Sequence, residues 1–590
     1  MQLPVWDLSA LYSCSGDWEQ DFERLNGLAE NFLACKGRLS ESPRVLKQAI
    51  EAQDELSRLA EKLYSYAHLL SDEDTSNNVN RSRVDRIEAK FASLSDYESW
   101  FAPELMALDD ELLEEFLRDP ELEFYRRSIL EARREKPHIL SEKEERIIGS
   151  LSDVLNASGK TFGVLNDAEL DFGTLKNESG KREKLTHGSY RKFMESSDRD
   201  LRKRAFDRLY RTYGKFRNTF ASTLDAAIRL HAGEARLRNY PGSLAAALFG
   251  DNVPEEVYRR LIEAVHDNFE PFYSYMALRA KALGLEKLEM YDIYNPLIPD
   301  CRKEYTFEEA KTLVRDSLLG TLGEEYCRNL SLAYTQNWID VPERPGKRSG
   351  AYSGGCYDSY PYVLLNYNGT LNDVFTLTHE LGHSMHSFYS RKHQHYHYAD
   401  YRIFVAEVAS TTNEILLFEH LYQQADSPEE RSYLLSYLAD EIRGTIYRQT
   451  MFAEFELFMH EAVEKGNPLT ADFLSEKYLE LNQLYYGKSV NSGKEIALEW
   501  ARIPHFYYDF YVYKYATGMS AALLLAQGLL RRTPGAKEKY LAFLAAGDSK
   551  DVLDIMLDAG VDLRTPQPVT AALDYFGSIV SRLEKELKLK

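Results

Sequence analysis

Cysteine is scarce in this sequence, with five residues in a chain of 590. They are widely spaced and none forms a C-x-x-C pair, which excludes a disulfide framework and a thiolate zinc cluster. No run of 18 apolar residues occurs, and the first residues form no basic and apolar leader. We therefore expect no transmembrane helix and no signal peptide, and we predict a cytoplasmic location.

Basic residues are also in deficit. The chain has 72 Lys and Arg against 93 Asp and Glu, a formal net charge of −21. This balance argues against nucleic acid and anionic membrane surfaces as partners. The sequence contains no G-x-S-x-G, no Walker loop and no dinucleotide fingerprint, so serine-hydrolase and nucleotide chemistry are unsupported.

Most of the sequence has the pattern of amphipathic helices. Apolar residues recur at three- and four-residue spacing in segments rich in Leu, Glu, Ala and Arg. These segments are 17–35, 43–71, 79–100, 109–137 and 141–157. Two stretches break the pattern: 166–190 predicts a small β-hairpin, and Tyr362–Tyr367 predicts a short strand. Helices are predicted again from about residue 371.

The most informative segment is an H-E-x-x-H motif formed by His379, Glu380 and His383. Apolar residues at helical spacing place it on a helix, which either Thr370 or Asn372 can cap. Four residues advance a helix by about 400°, so the two imidazoles lie on one face and can reach one Zn²⁺. Glu380 is rotated by about 100° and can take a proton from a metal-bound water.

A catalytic zinc needs a third protein ligand. The metzincin pattern fails, because position 386 is His and no further His follows at the required spacing; we assign His386 to outer-shell or packing contacts. The apolar helix predicted at 403–418 carries polar residues at offsets 0, 3, 4 and 7. We interpret Glu407 as the third ligand and Glu414 as a carboxylate that orients a ligand His. A salt-bridged or solvent-facing stripe would give the same pattern.

Four motifs make the sequence recognisable. They are Gly350-Ala-Tyr352, Leu364-Leu-Asn366-Tyr, Thr376-Leu-Thr-His-Glu-Leu-Gly-His383 and Phe404-Val-Ala-Glu-Val-Ala-Ser410. Over roughly 110–585 the chain resembles the oligoendopeptidase F group of the thimet-oligopeptidase-like zinc metallopeptidases. The resemblance implies a mainly α fold, a large helical ellipsoid with a deep substrate channel and a small β-sheet beside the zinc site.

The resemblance also implies an activity and a ligand set. It implies internal cleavage of short peptides, with one Zn²⁺ per chain bound by His379, His383 and Glu407. It assigns the general base to Glu380. On this basis we divide the chain into an N-terminal helical region (1–110), a helical and β-hairpin oligopeptidase domain (111–200) and a catalytic zinc metallopeptidase domain (201–590).

A further matching segment begins at Ile503. Tyr508, Tyr511 and Tyr515 stand at offsets 0, 3 and 7, which predicts one shared helical face. The resemblance implies that His505, Tyr511 and Tyr515 contact the substrate and the transition state, and which Tyr stabilises the oxyanion stays open. An aromatic core stripe would have the same spacing.

The remaining expectations concern substrates and rival functions. An exposed edge strand at 362–367 would pair with an extended peptide. Short peptides are the predicted partners, and the oligomeric state is left open. Two alternatives remain: a metallocarboxypeptidase of the same architecture, and a catalytically silent helical protein that binds peptides.

Overall fold

A computed structural model describes residues 3–298 and 303–588. Most of them lie in helices, as predicted. The helices are α1 (Ser15–Leu33), α2 (Pro43–Glu73), α3 (Asn78–Glu98), α4 (Phe101–Ala107), α5 (Asp110–Phe116), α6 (Arg126–Arg134), α7 (Glu142–Leu155), α8 (Ala157–Gly163), α9 (His187–Met194), α10 (Arg199–Lys215), α11 (Arg217–Leu237), α12 (Ser243–Phe249), α13 (Glu255–His266), α14 (Glu270–Ala282), α15 (Phe307–Thr335), α16 (Leu371–His393), α17 (Ile403–Gln424), α18 (Pro428–Ile442), α19 (Arg448–Glu464), α20 (Ala471–Tyr486), α21 (Tyr513–Leu530), α22 (Ala536–Leu544), α23 (Val552–Asp558) and α24 (Gln567–Leu587).

Three small sheets accompany these helices. The strands are β1 (Thr174–Lys176), β2 (Arg182–Lys184), β3 (Leu288–Glu289), β4 (Ile339–Pro342), β5 (Tyr352–Gly354), β6 (Tyr362–Tyr367) and β7 (Val490–Asn491). β1 and β2 form the antiparallel hairpin predicted within 166–190, and β3 pairs with β7 in parallel. The third sheet has the order β4-β6-β5.

The strand at 362–367 is where predicted, but the expectation that it is an edge strand is wrong. β6 lies in the middle of its sheet, parallel to β4 and antiparallel to β5, with Tyr352 opposite Leu364. Four consecutive residues of β6, 362–365, are buried. A continuous apolar run is typical of a strand covered on both faces, whereas an exposed edge would show alternation. β5 pairs with β6 and lies at an edge of this sheet.

The predicted helix over 109–137 is also interrupted. The chain forms α5 and α6 there, with a single turn of 3₁₀ helix at Pro120–Leu122 between them. Pro120 has no N–H and crowds the preceding turn, so it cannot continue α5. Asp119 caps the new turn, because its carboxylate accepts the N–H of Glu121.

Two compact units divide the chain. The first comprises Met1–Pro137, Lys303–Leu417 and Leu525–Gly560. Its helical N-terminal part surrounds a core that contains Trp18, Phe32 and Trp100. The sheet β4-β6-β5 and helix α16 belong to the same unit. The division into 1–110, 111–200 and 201–590 stays a prediction.

The second unit comprises His138–Arg302, Phe418–Leu524 and Val561–Lys590. Within it, α24 packs against α14 and α18, and α11 packs against α19. α24 contributes a fully buried stripe that includes Leu573, Phe576 and Leu583. None of the helices in residues 3–298 and 303–588 combines the length and the apolar character needed to cross a bilayer.

Candidate metal centre

Helix α16 carries the H-E-x-x-H motif. Thr370 caps it in a reciprocal capping box with Asp373, which decides between the two possible caps. The apolar side chains of Leu377, Leu381 and Met385 are fully buried. This buried stripe fixes the rotation of the helix about its axis, and so it fixes where the motif points.

The two motif histidines meet one turn apart on α16. The Nε2 atoms of His379 and His383 lie 3.2 Å apart. Helix α17 brings Glu407 to the same point: its Oε2 lies 3.3 Å from Nε2 of His379 and 3.4 Å from Nε2 of His383. Three potential ligand atoms from two helices therefore form a nearly equilateral triangle.

The close approach of α16 and α17 depends on a residue that the sequence reasoning overlooked. A Cβ atom on Gly382 would lie 2.5 Å from Cα and 2.9 Å from the backbone nitrogen of Ser410. Such distances are far inside van der Waals contact. Only glycine therefore fits at position 382, where α16 lies directly against the backbone of α17. The sequence contained a sign of this contact, because glycine disfavours helix and yet stands inside the motif helix.

Glu414 lies two turns after Glu407 on α17 and contacts the other side of a ligand imidazole. Its carboxylate Oε1 accepts a hydrogen bond from Nδ1 of His379, the contact that the sequence predicted. This bond keeps a proton on Nδ1, so Nε2, which faces His383 and Glu407, is the nitrogen that can bind a metal. The proton assignment follows from the partner of each nitrogen.

The donor set fits zinc. Two imidazoles and one carboxylate are typical of a catalytic zinc site. In a tetrahedral site with bonds of about 2.0–2.1 Å, ligand atoms stand about 3.3–3.4 Å apart, which matches the triangle. About half of the Glu407 side chain is solvent-exposed, at 53%. Solvent or substrate can therefore reach the side of the triangle that the protein leaves open.

The electrostatics of the triangle show how strongly these groups interact. Burial disfavours the charged imidazole of His379, but its contacts with Glu407 and Glu414 outweigh that effect and raise its pKa to about 10. Burial raises the pKa of Glu407, yet the two imidazoles hold it well below its usual range. The carboxylate is thus ionised at neutral pH, the state that binds a cation.

Glu380 is buried beside the triangle, at 7% exposure. Desolvation raises the pKa of its carboxyl, and the neighbouring imidazoles of His379 and His383 oppose that rise. A carboxylate with a raised pKa is a better proton acceptor in the neutral range than a solvated one.

His386 does not join the ligands. It is buried, with its ring stacked on Tyr401 at 3.7 Å between centroids. Burial lowers the pKa of its imidazole to about 3, so it stays neutral at physiological pH. This agrees with the packing role predicted for it.

The aromatic segment 503–516 belongs to the second unit, and the prediction of one shared helical face is wrong. A short 3₁₀ helix ends at Tyr507 and α21 begins only at Tyr513. All three predicted tyrosine rings still lie near His505, and the ring centroid of Tyr508 is 5.8 Å from that of His505. The ring centroid of His505 lies 6.3 Å from that of Tyr511 and 5.9 Å from that of Tyr515.

This cluster has a polar side. The Tyr515 hydroxyl lies 3.4 Å from Nε2 of His505. Burial, together with the positive charge of Arg448, lowers the pKa of His505, so the imidazole is neutral at pH 7. Tyr508 is 59% exposed, unlike a core aromatic residue. The cluster therefore offers neutral O–H and N–H donors.

A cavity of about 940 Å³ lies in the first unit. Its walls include Tyr352 of β5, and Ser387 and Arg391 of α16. Ser387 stands one turn after His383 on the motif helix. Small-molecule and peptide sites commonly fall in this size range.

Comparison with known proteins adds a second line of argument. The model of peptidase family M3 matches residues 192–575, and that of the oligopeptidase F N-terminal region matches 104–172. Oligopeptidase PepF of Bacillus subtilis (strain 168) is 41% identical over 584 residues, 99% of this chain and 87% of that protein.

Two solved structures resemble the chain along their whole length. A structure from Chlamydophila abortus superposes with a TM-score of 0.92 at 37% identity and covers 99% of this chain and 98% of its own. Oligoendopeptidase-F from Enterococcus faecium superposes with a TM-score of 0.75 at 36% identity, over 98% of this chain and 100% of its own.

Proposed function

Since this chain belongs to the oligopeptidase F group of peptidase family M3 and is therefore a peptidase, we propose that it is a zinc-dependent endopeptidase of short peptides. The observation that carries the proposal is the triangle of His379, His383 and Glu407, whose edges of 3.2–3.4 Å suit one zinc ion. A zinc ion held there supplies Lewis acidity, which polarises a carbonyl and makes water nucleophilic at neutral pH.

We assign the general base to Glu380. Its position one residue after His379 turns it about 100° away from the ligand face. Desolvation raises its pKa, which suits a group that takes a proton from the attacking water and returns it to the leaving amine. Glu414 holds His379 in the tautomer that a ligand needs.

His505, Tyr511 and Tyr515 are the proposed donors to the oxyanion. Their rings form one cluster, and the imidazole of His505 is neutral because burial lowers its pKa. A neutral imidazole or phenol can donate a hydrogen bond to a developing negative oxygen without carrying charge itself.

An extended substrate would pair with β5. This strand is at the edge of its sheet, and Ser353 in its centre contacts Ser384 of α16, with 2.8 Å between the hydroxyl oxygens. Ser384 follows His383, so a peptide along β5 would run beside the motif helix. Main-chain pairing binds peptides of varied sequence, which suits an oligopeptidase of the cytoplasm.

Digestion of a mixed peptide library, with and without a chelator, tests the proposal. We expect internal fragments that disappear when zinc is removed and return when it is restored. Stepwise loss of single C-terminal residues would instead identify a metallocarboxypeptidase. Bound zinc with no cleavage of any peptide would identify a silent peptide-binding protein.

The substitution Glu380→Gln tests the base separately from the metal. The variant should retain zinc and lose about 10²–10⁴-fold in kcat. Glu30→Gln makes the same chemical change on an exposed residue of α1 and should leave kcat unaltered. A fully active Glu380→Gln enzyme would contradict the assignment.

A further inference from the structure

Three side chains from separate segments converge in the second unit, outside the H-E-x-x-H motif. His231 comes from α11, His460 from α19, and Asp509 from the turn that precedes α21. Nδ1 of His231 lies 3.4 Å from Nε2 of His460. Oδ1 of Asp509 lies 3.4 Å from each of those two nitrogens. The three atoms form an equilateral triangle.

The size of this triangle separates metal binding from hydrogen bonding. Hydrogen bonds between such groups have typical lengths of about 2.7–3.0 Å, so 3.4 Å is long for all three pairs at once. Tetrahedral zinc with bonds of about 2.0–2.1 Å requires ligand atoms about 3.3–3.4 Å apart. The proposed catalytic triangle has edges of 3.2, 3.3 and 3.4 Å. The two triangles are therefore the same size within 0.2 Å.

The orientation of His460 is that of a metal ligand. Its Nδ1 lies 3.0 Å from the main-chain carbonyl oxygen of Glu456. Nδ1 therefore carries the proton and donates a hydrogen bond to this carbonyl oxygen. The lone pair of Nε2 then points into the triangle. Metal-binding histidines usually have their second nitrogen held in this way. At 1% exposure, His460 has no access to bulk water that could replace a ligand.

Asp509 supplies an independent reason to expect a cation at this point. In the described part of the chain, its buried Oδ1 has no hydrogen-bond partner. A buried carboxylate oxygen is costly to leave unsatisfied, and a dication would compensate it.

The backbone around Asp509 is strained. Asp509 and Phe510 both have left-handed backbone conformations, with φ of 43° and 55°. This conformation is unusual for a bulky residue such as Phe, and strain of this kind collects at ligand clamps. The Phe510 N–H donates to Oε1 of Glu456 at 2.8 Å, and the Phe510 ring packs 4.2 Å from that of His460. These contacts hold the turn so that Asp509 faces the imidazoles.

We propose that His231, His460 and Asp509 bind a second divalent ion, with zinc as the preferred metal. Two imidazoles and a carboxylate favour zinc over calcium or magnesium, which prefer oxygen ligands. Solvent would complete the tetrahedron. The ion would fix the strained turn, which lies between His505 and Tyr511. Neither the binding site nor its clamping of the turn depends on the proposed peptidase mechanism.

Metal content of the untagged full-length protein tests the proposal. After exchange into metal-free buffer, elemental analysis should find two zinc ions per chain. The double variant His379→Ala/His383→Ala should keep one, and so should Asp509→Asn, since Asn tolerates the left-handed backbone. His266→Gln, on α13 of the same unit, should keep two. One zinc in the unaltered protein together with none in the double variant would overturn the proposal.

A second measurement covers the case in which the double variant does not fold. Co²⁺ should be titrated into the metal-free unaltered protein and into Asp509→Asn, with the visible absorption of tetrahedral Co²⁺ as the signal. We expect saturation at two equivalents and one equivalent, respectively. Saturation of both proteins at one equivalent would refute the second site, while chelator-sensitive cleavage with that single ion would leave the proposed function intact.

Hydrogen exchange tests whether the second ion holds the turn at Asp509 in place. Amide hydrogen exchange over 505–512 should become faster in Asp509→Asn and stay unchanged in His266→Gln. Equal exchange in all three proteins, with the second ion lost from Asp509→Asn, would refute the clamping role.

Discussion

Substitution of Gly382 by Ala tests whether the spacing of α16 and α17 sets metal affinity. The new Cβ would lie 2.5 Å from Cα of Ser410 and 3.0 Å from the carbonyl oxygen of Ala409. These are backbone atoms, so no side-chain rotation can relieve the overlap. Carbon atoms pack at about 3.5–4.0 Å, and the helices must therefore separate locally by about 1 Å.

Metal geometry does not tolerate such a shift. Ligand distances in zinc sites vary by only about ±0.2 Å, and α17 carries Glu407 only three residues before Ser410. We expect a loss of about 100-fold in zinc affinity and in cleavage, the magnitude that a displacement of about 1 Å produces in catalytic sites. Overpacking should also reduce the free energy of unfolding by about 1–3 kcal/mol.

Competition with a chromophoric chelator measures the affinity, and peptide cleavage at saturating zinc measures the remaining activity. Gly27→Ala is the matched control, because Gly27 lies in α1 and a Cβ there meets no atom within 4 Å. That variant should bind zinc normally and be up to about 1 kcal/mol more stable, since Ala favours helix over Gly. A Gly382→Ala protein with normal zinc affinity would refute the argument.

Three further predictions concern Glu414, His386 and His505. Glu414→Ala removes the acceptor for Nδ1 of His379 and should weaken zinc binding about 10–100-fold in chelator competition; unchanged affinity would contradict the orienting role. Because the folded pKa of His386 is about 3, the unfolded state binds more protons between about pH 6.5 and 3, and stability falls as pH falls through this window. At pH 5 the unaltered protein should have lost about 2 kcal/mol of unfolding free energy through His386, and His386→Phe should not show this loss. Denaturant unfolding with chelator present measures it, and an identical pH dependence of the two proteins would count against the argument. His505→Phe should lower kcat about 10²–10³-fold with zinc content unchanged, and an unaltered kcat would exclude it as an oxyanion donor.

Local features of the sequence were sufficient for the helices and for the proposed ligands. Helix periodicity and the Thr370 cap depend on neighbours a few residues apart, so the motif helix could be predicted. The polar stripe on α17 identified Glu407 and Glu414 because carboxylates on an apolar helix need a partner. The interruption at Pro120 was equally local and should have been predicted.

Pairing between distant segments could not be predicted in the same way. Whether β6 lies inside or at the edge of its sheet depends on β4 and β5, which approach it from either side. The role of Gly382 becomes visible only once Ser410 lies against it.

The triangle of His231, His460 and Asp509 is the clearest case. Its members are separated by 229 and 49 residues and share no motif spacing. The sequence determined which side chains could bind a metal, since that is a property of each residue. Tertiary structure decided which of them meet, because packing of the whole chain places atoms within a few ångströms of one another.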